Sequence, residues 1–481
     1  MFFELGETSA SNNFSTMELA KWAGYRYGIY TREAVVEIVT SVTKKAESLV
    51  EILAQETVAE TKMGNSVDKA SINTLFSRGV FQQYQGLNLV DRVYSSDFKS
   101  LRIPRPAGVV FGFVSVGNPV ASIFMNVISS LISRNAIVIV IPPSVAAVCN
   151  HAIEELSEAA SEARAPIGVI SALYGDEGLG QVFEPQFEPR NFIRGIHQLN
   201  GASLDLEVCS IPRSYSIVPV VVDSCVDPKI ASATIIASKA LDNSLMPTCE
   251  TVMIILDEIA DILLSEMQRD GAYLLNESQC NLVREQVFGS ESLDGLFRGR
   301  DAVTIANQLG IVVPPLTRVL LAPIGTAFSD EVLLYDVDVP ILSFVRVGDF
   351  QTAISTARLL CVNSQESSFA SLHSNNPSHI DEFAAEVPAT RIAINVGSSL
   401  GNAGILPHEL NDQFGDGVEL DPFSLLGSFG PQSLVAWSES FLGLSPLGLQ
   451  ENLSLLKKDT AIYDRVPKYP LEQTIVPTPR T

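Results

Sequence analysis

The stretch that most constrains the fold is residues 107–143, a run of mostly apolar side chains broken twice. Unbroken, it would exceed the roughly 20 apolar residues that carry a helix across a bilayer. Gly117-Asn118-Pro119 interrupts it, and Arg134-Asn135 interrupts it again, so no piece is long enough to span. Residues 109–116 are β-branched or aromatic at every position but Gly112 and Ser115, the pattern of a strand buried on both faces. Small residues after Pro119 lead into a helix at 120–133, and 136–141 is a second buried strand. Strand, helix and strand in that order make a parallel crossover.

The same rhythm continues along the chain. A helix is expected at 144–163, then strands at 168–173, 191–195 and 218–223. A second unit begins near Ser232, with a strand at 252–256, helices at 259–270 and 302–310, strands at 319–322 and 340–347, a helix at 350–360, and strands at 369–372 and 391–396. Upstream, Val35, Ile38, Val39, Val42, Leu49, Ile52 and Leu53 carry helical spacing across 31–62, which Gly64-Asn65 terminates. Another helical segment is expected at 67–81. The fold class is therefore α/β, two doubly wound parallel-sheet domains at 1–231 and 232–430. Residues 431–481 form a C-terminal segment ending in a Pro-rich tail.

With 46% apolar and 18% charged residues, the 481-residue chain is of globular composition. Its net charge of −23 argues against nucleic acid or an anionic membrane as the main partner, because both require a basic footprint. An anionic small ligand stays compatible, since a local site can oppose the global field. Six cysteines (149, 209, 225, 249, 280 and 361) show no CxxC or His-rich spacing, so neither a metal site nor a disulfide scaffold is expected. The first residues have no basic segment before an apolar one, and a cytoplasmic, reduced protein is the expectation.

Residues 236–255 are the chemical centre of this reading. A helical run ends in Asp242-Asn243, Cys249 follows, and a strand begins at Val252. A thiolate that attacks carbonyls belongs on such a junction, where its backbone is fixed and its side chain reaches a cleft. The other five cysteines lie in apolar or helical settings and read as core thiols.

Several segments resemble the CoA-acylating branch of the aldehyde dehydrogenase superfamily. Residues 60–69 (E-T-K-M-G-N-S-V-D-K) are similar to its Glu-Thr-Gly-Met-Gly-Asn helix end. Pro106 to Val110, Gly117-Asn118-Pro119 and Ser133-Arg134-Asn135-Ala136 resemble its Pro-x-Gly-Val, Asn-Pro-Thr and Arg-Asn signatures. Ser238 to Asn243 (S-K-A-L-D-N) resembles its Ser-Lys-x-Phe-Asp-Asn segment. The resemblance runs over about residues 40 to 430, and its strength lies in the order and spacing of the pieces.

It implies a Rossmann-like cofactor-binding domain followed by a catalytic domain. The implied reaction converts an aldehyde to an acyl-CoA, or the reverse, with NAD or NADP and with CoA as cosubstrate. A cysteine thiolate forms the thioester. A homo-oligomer, or a hetero-oligomer with a related subunit, goes with it. Asn118 matches the oxyanion asparagine; an Asn-Pro turn capping the next helix is the alternative. Gly195 keeps the first glycine of the dinucleotide turn. Asp336 stands where the superfamily has a ribose-binding glutamate, or is a surface acid. His373 matches a histidine of the last catalytic strand, with a packed role as the alternative.

The departures cluster at the site. Counting from Asn243, the nucleophile position is Pro247, and Cys249 lies two residues late. The glycine turn reads Gly195-Ile196-His197-Gln198, and the glycine-rich segment before the next strand reads Arg213-Ser214-Tyr215-Ser216-Ile217. Pro142-Pro143-Ser144 supplies no cation, so His197 and Arg213 would have to compensate. Missing glycines place Cβ atoms where the backbone must approach a pyrophosphate. Beside the oxidoreductase stands a second reading, a catalytically inactive homologue with a structural, assembly or regulatory role.

Overall fold

The computed structural model describes residues 9–94, 100–174, 192–193, 217–289, 296–325, 331–335, 337–363, 369–389, 391–401 and 434–441. Four helical elements open it: α1 (Ser9–Tyr27), α2 (Arg32–Thr61), α3 (Ser66–Thr74) and α4 (Val80–Tyr84). Thr31 caps α2 by accepting the Ala34 N–H, and Lys62 ends it in a left-handed conformation at φ 59°. The helix expected at 67–81 is divided, because a π-helical turn at Leu75–Gly79 separates α3 from α4.

Two strands, β1 (Val93–Tyr94) and β2 (Ser100–Pro106), precede the crossover. Residues 107–143 then form β3 (Val109–Phe113), α5 (Pro119–Ile132) and β4 (Ala136–Ile141), as their patterning predicts. After α6 (Ala146–Glu162) come β5 (Ile170–Tyr174) and β6 (Phe192–Ile193). The parallel sheet they make has the order β5-β4-β3-β6. All six residues of β4 are buried, which is why its sequence is apolar without alternation. Gly24 on α1 packs so closely that a Cβ there would lie 2.3 Å from the Gly108 carbonyl oxygen. Among the described residues, no helix is long and apolar enough to cross a membrane.

The second sheet has seven parallel strands. In chain order its elements are β7 (Pro219–Val222), α7 (Pro228–Ala240), β8 (Val252–Leu256), α8 (Asp257–Arg269), β9 (Ala272–Leu274), α9 (Glu277–Gln286), α10 (Ala302–Gln308), β10 (Val319–Pro323), β11 (Ile341–Val347), α11 (Phe350–Asn363), β12 (Phe369–His373), α12 (Pro377–Glu386), β13 (Arg391–Ile394) and α13 (Ser398–Gly401). The spatial order is β13-β12-β7-β8-β11-β10-β9. Val221, Ile254 and Leu320 face one core, while Val220, Val222, Met253, Ile255 and Leu321 face the other.

The strand expected at 218–223 belongs to this sheet and not to the first, pairing with β8 and β12. Its apolar run fixes that it is buried; partner choice depends on contacts far along the chain. Residues 435–441, read as part of a C-terminal segment, form β14 (Val435–Phe441) and pair antiparallel with β2 along seven positions. The Pro-rich tail lies outside the described residues. Gly117-Asn118, beyond the carboxyl end of β3, touches the loop that leads from α7 into the amino end of β8.

Candidate functional site

The loop between α7 and β8 is held in an uncommon backbone conformation. Asp242, Asn243 and Ser244 have φ of 47°, 55° and 68°, three left-handed non-glycine residues in succession. Such residues cost of order 1 kcal/mol or more each and persist only when their surroundings over-determine them. Here they do. The Asp242 carboxylate accepts from Lys69 Nζ at 2.8 Å and from the Asn65 N–H at 3.0 Å, and the Asp242 N–H donates to Asp68 Oδ2 at 2.8 Å. Asn243 Nδ2 donates to the Gly299 carbonyl, and Ser244 Oγ to the Lys239 carbonyl. Burial pushes the Asp242 carboxyl up to about 6 against the pull of Lys69. Burial likewise pulls Lys69 below its ordinary value, with Asp242 opposing.

Lys69 also reaches the first unit, donating to the Gly117 carbonyl at 2.6 Å and to Asn118 Oδ1 at 3.3 Å. Asn118 is thus brought to the loop, as the sequence reading expects. Its side chain does not cap α5. Its amide instead donates to the Leu245 carbonyl at 3.4 Å, and the Leu245 side chain packs against Gly117. The group that would hold an oxyanion is therefore bonded to the loop itself.

Cys249 is fully buried, while Pro247 is exposed. The Cys249 sulfur lies 3.8 Å from the Lys239 carbonyl oxygen and 3.9 Å from its neighbour's, Glu250, pointing back toward the end of α7. Its flanks are pinned as well. Thr248 Oγ1 donates to the Ser399 carbonyl, and the buried Glu250 carboxylate accepts from Ser238 Oγ and the Ser398 N–H. Near-attack geometry needs reacting atoms about 3–3.5 Å apart, and in this structure the Cys249 side chain is enclosed on the inner side of the loop.

The remaining expected residues distribute as follows. Gly195 and Asp336 lie outside the described residues, as do His197, Arg213 and Cys209. His373 is buried on β12 and pairs with Val222 at the carboxyl end of β7, the opposite end of the sheet from the Cys249 loop. Its Nε2 has no partner among the described residues, and burial pulls its pKa down to about 4. At Pro142-Pro143 no cation appears; instead the Glu60 carboxylate accepts the Ala147 and Val148 N–H groups at the start of α6. Cys149, Cys280 and Cys361 are buried thiols as expected, whereas Cys225 is exposed, a correction to its reading as a core thiol. It follows β7 at a strand end, where the chain leaves the sheet. Among the described residues, no group of three or more His, Cys, Asp or Glu is placed to hold a metal ion.

Sequence reasoning missed the role of Lys69. The signal was present, since Lys69 falls within the 60–69 segment and Asp242 within 238–243, but pairing across 173 positions is invisible in one sequence.

No family model matches the chain. Among curated proteins it is 25% identical over 414 residues to the bifunctional aldehyde-alcohol dehydrogenase AdhE of Escherichia coli, covering 83% of this chain and 46% of AdhE. It is 24% identical to the acetylating succinate-semialdehyde dehydrogenase of Clostridium kluyveri, covering 80% of this chain and 86% of that one. The chain is related to the CoA-acylating aldehyde dehydrogenases.

The fold agrees with the relationship. An acetylating aldehyde dehydrogenase from Geobacillus thermoglucosidasius superposes with a TM-score of 0.80 at 22% identity, over 92% of this chain and 98% of that one. A propionaldehyde dehydrogenase from Rhodopseudomonas palustris, solved with CoA bound and an acylated cysteine, superposes with a TM-score of 0.74 at 19% identity, over 89% of this chain and 97% of that one. The chain spans about half the length of the AdhE proteins it matches.

Proposed function

We propose that this chain is a catalytically silent homologue of the acylating aldehyde dehydrogenases, keeping their fold for a structural, assembly or regulatory role. One observation carries the reading: the exposed position on the loop before β8 is Pro247, while the nearby thiol of Cys249 is enclosed. Proline has no nucleophile and no N–H to donate to an oxyanion. The one expected side-chain donor, Asn118, already serves Leu245.

The described residues also fit NAD or NADP poorly. The turn after β4 carries two prolines, and the Glu60 carboxylate reaching in from α2 occupies the Ala147 and Val148 amides, where a phosphate or ribose would favour a cation or open amides. CoA has no assigned cradle among these residues. A pairing with an active related subunit would give such a chain its role by assembly.

A second reading is favoured by one feature, that Asn118 and the 242–249 loop still converge. In it the chain is an NAD(P)-dependent oxidoreductase that interconverts an aldehyde and an acyl-CoA through Cys249. Intact mass after incubation with acetyl-CoA, together with thermal unfolding in NADH and in NADPH, separates the two. The silent homologue gives no acyl adduct on Cys249 and no shift. A nucleotide present at 100 times its Kd would add about 2.7 kcal/mol of stability. A thioester mapped to Cys249 overturns the proposal, and a nucleotide shift without an adduct replaces it with a ligand sensor.

A further inference from the structure

A second cluster of reactive side chains lies at the other end of the seven-stranded sheet. From β7 the chain runs through α7 to β8 on one side, and from β12 through α12 to β13 on the other. Neighbouring strands whose connections leave in opposite directions open a crevice at their carboxyl ends, where open α/β sheets receive ligands. Asp223 and Cys225 follow β7 at this crevice; Ser374, Asn375 and His379 follow β12.

Asp223 is the hub. Its Oδ2 accepts from Ser374 Oγ at 2.6 Å, from the Cys225 thiol at 3.1 Å, and meets His379 Nδ1 at 2.7 Å. The His379 ring is fixed in turn by stacking on Phe350, with centroids 3.9 Å apart. Burial raises the Asp223 carboxyl, and the hydrogen bonds from Ser374, His379 and Cys225 outweigh it, holding the group below the usual carboxylate range. The other oxygen, Oδ1, is buried and has no partner among the described residues. An ionised, buried oxygen without a donor is costly unless something supplies one.

The sulfur of Cys225, an exposed residue, sits beside that carboxylate. It also accepts the Asn375 N–H at 3.2 Å and lies 3.4 Å from Ser374 Oγ, while Asn375 Nδ2 donates to the Cys225 carbonyl. We propose that Cys225 is an oxidation site, converted by a hydroperoxide to a sulfenic acid whose new hydroxyl donates to Asp223. The sulfur attacks one peroxide oxygen and forms the S–O bond as the O–O bond breaks. The pair from that bond goes to the distal oxygen, which takes up the thiol proton and leaves as water or an alcohol. Sulfur is oxidised by two electrons and the peroxide reduced by two. The other described cysteines are buried, so none of them stands ready to convert the product to a disulfide.

The test uses the full chain, titrated with hydrogen peroxide in the presence of a dimedone-type probe and mapped by peptide mass spectrometry. The probe should mark Cys225, and Cys225→Ser should remove the label. Asp223→Asn, which replaces the charged acceptor with a weaker neutral one, should shorten the lifetime of the sulfenic acid about tenfold. Label confined to another cysteine, Cys209 included, or no label on a protein that keeps its near-ultraviolet circular dichroism, overturns the proposal. So does an unchanged lifetime in Asp223→Asn. If that variant does not fold, the mapping on the unaltered chain decides alone.

Discussion

Lys69 Nζ lies 2.8 Å from Asp242 Oδ2, with the two side chains 2% and 0% exposed. The pair joins α3 to the turn after α7, and through Gly117 and Asn118 it also joins the end of β3. It is one of the contacts that hold the left-handed turn at 242–244, from which the following loop carries Pro247 and Cys249. A buried pair is weak evidence of net stability, because desolvating both ions offsets much of their attraction. Its role here is to specify a conformation.

Removing one partner leaves the other charge uncompensated. Lys69→Met should therefore destabilise the protein by about 3–5 kcal/mol, whereas Lys69→Met with Asp242→Leu should recover much of that loss. Urea unfolding of the two single variants and the double variant measures the coupling. Additive losses would contradict a pair acting as a unit.

Exposure at position 247 and enclosure at 249 make opposite predictions for a thiol. In native protein treated with iodoacetamide, Cys249 should be alkylated at least about a hundredfold more slowly than an introduced thiol in Pro247→Cys, as an opening cost of ~3 kcal/mol implies. Peptide mapping distinguishes these sites from the exposed Cys225. Comparable rates at 247 and 249 would mean that the loop opens freely.

His373 and Asp242 should give opposite pH dependences in the same acidic range. Burial holds the folded His373 near pKa 4, below its unfolded value of about 6.5. The unfolded state then binds the extra proton, so this stability is present above about 6.5 and is lost as pH falls through 4, roughly 3 kcal/mol in all. Asp242, raised to about 6, binds its proton more tightly when folded, so its contribution is present below about 4 and lost as pH rises through 6. On acidification from pH 7 to 4.5, His373→Gln should lose less stability than the unaltered chain and Asp242→Asn more. Denaturant midpoints at the two pH values give the answer, and shifts of the same sign would refute one assignment.

Asn135 carries the Arg-Asn signature into a structural task. It accepts the Gly108 N–H at 2.8 Å and donates to the Ser133 carbonyl, to Ser133 Oγ and to the Leu434 carbonyl, joining the β3–β4 turns to the start of β14. Asn135→Ala strands several buried groups at once and should cost about 3 kcal/mol or more. Thermal unfolding measures it; a loss under about 1 kcal/mol would mean that water replaces the amide.

Much of the architecture was legible because burial writes itself into local pattern. Residues 109–113 and 136–141 are strands for the same reason that their sequence is apolar throughout, and Gly64-Asn65 marks a helix boundary by its own chemistry. The short β9 and the pairing of β14 with β2 escaped, since three residues carry no periodicity and an antiparallel partner more than 300 positions away leaves no local trace. Placing 219–222 in the second sheet escaped for the same reason.

At the candidate site, the sequence by itself determined what is missing: a thiol at 247 and a cation at 142–144. Those are matters of residue type, readable by counting. Only the tertiary structure decided what the surviving groups do. Cys249 faces inward, Asn118 serves Leu245, Lys69 holds Asp242, and Cys225 leaves the core for a crevice between β7 and β12. Each of these depends on side-chain direction and on partners distant in sequence, which no local pattern encodes.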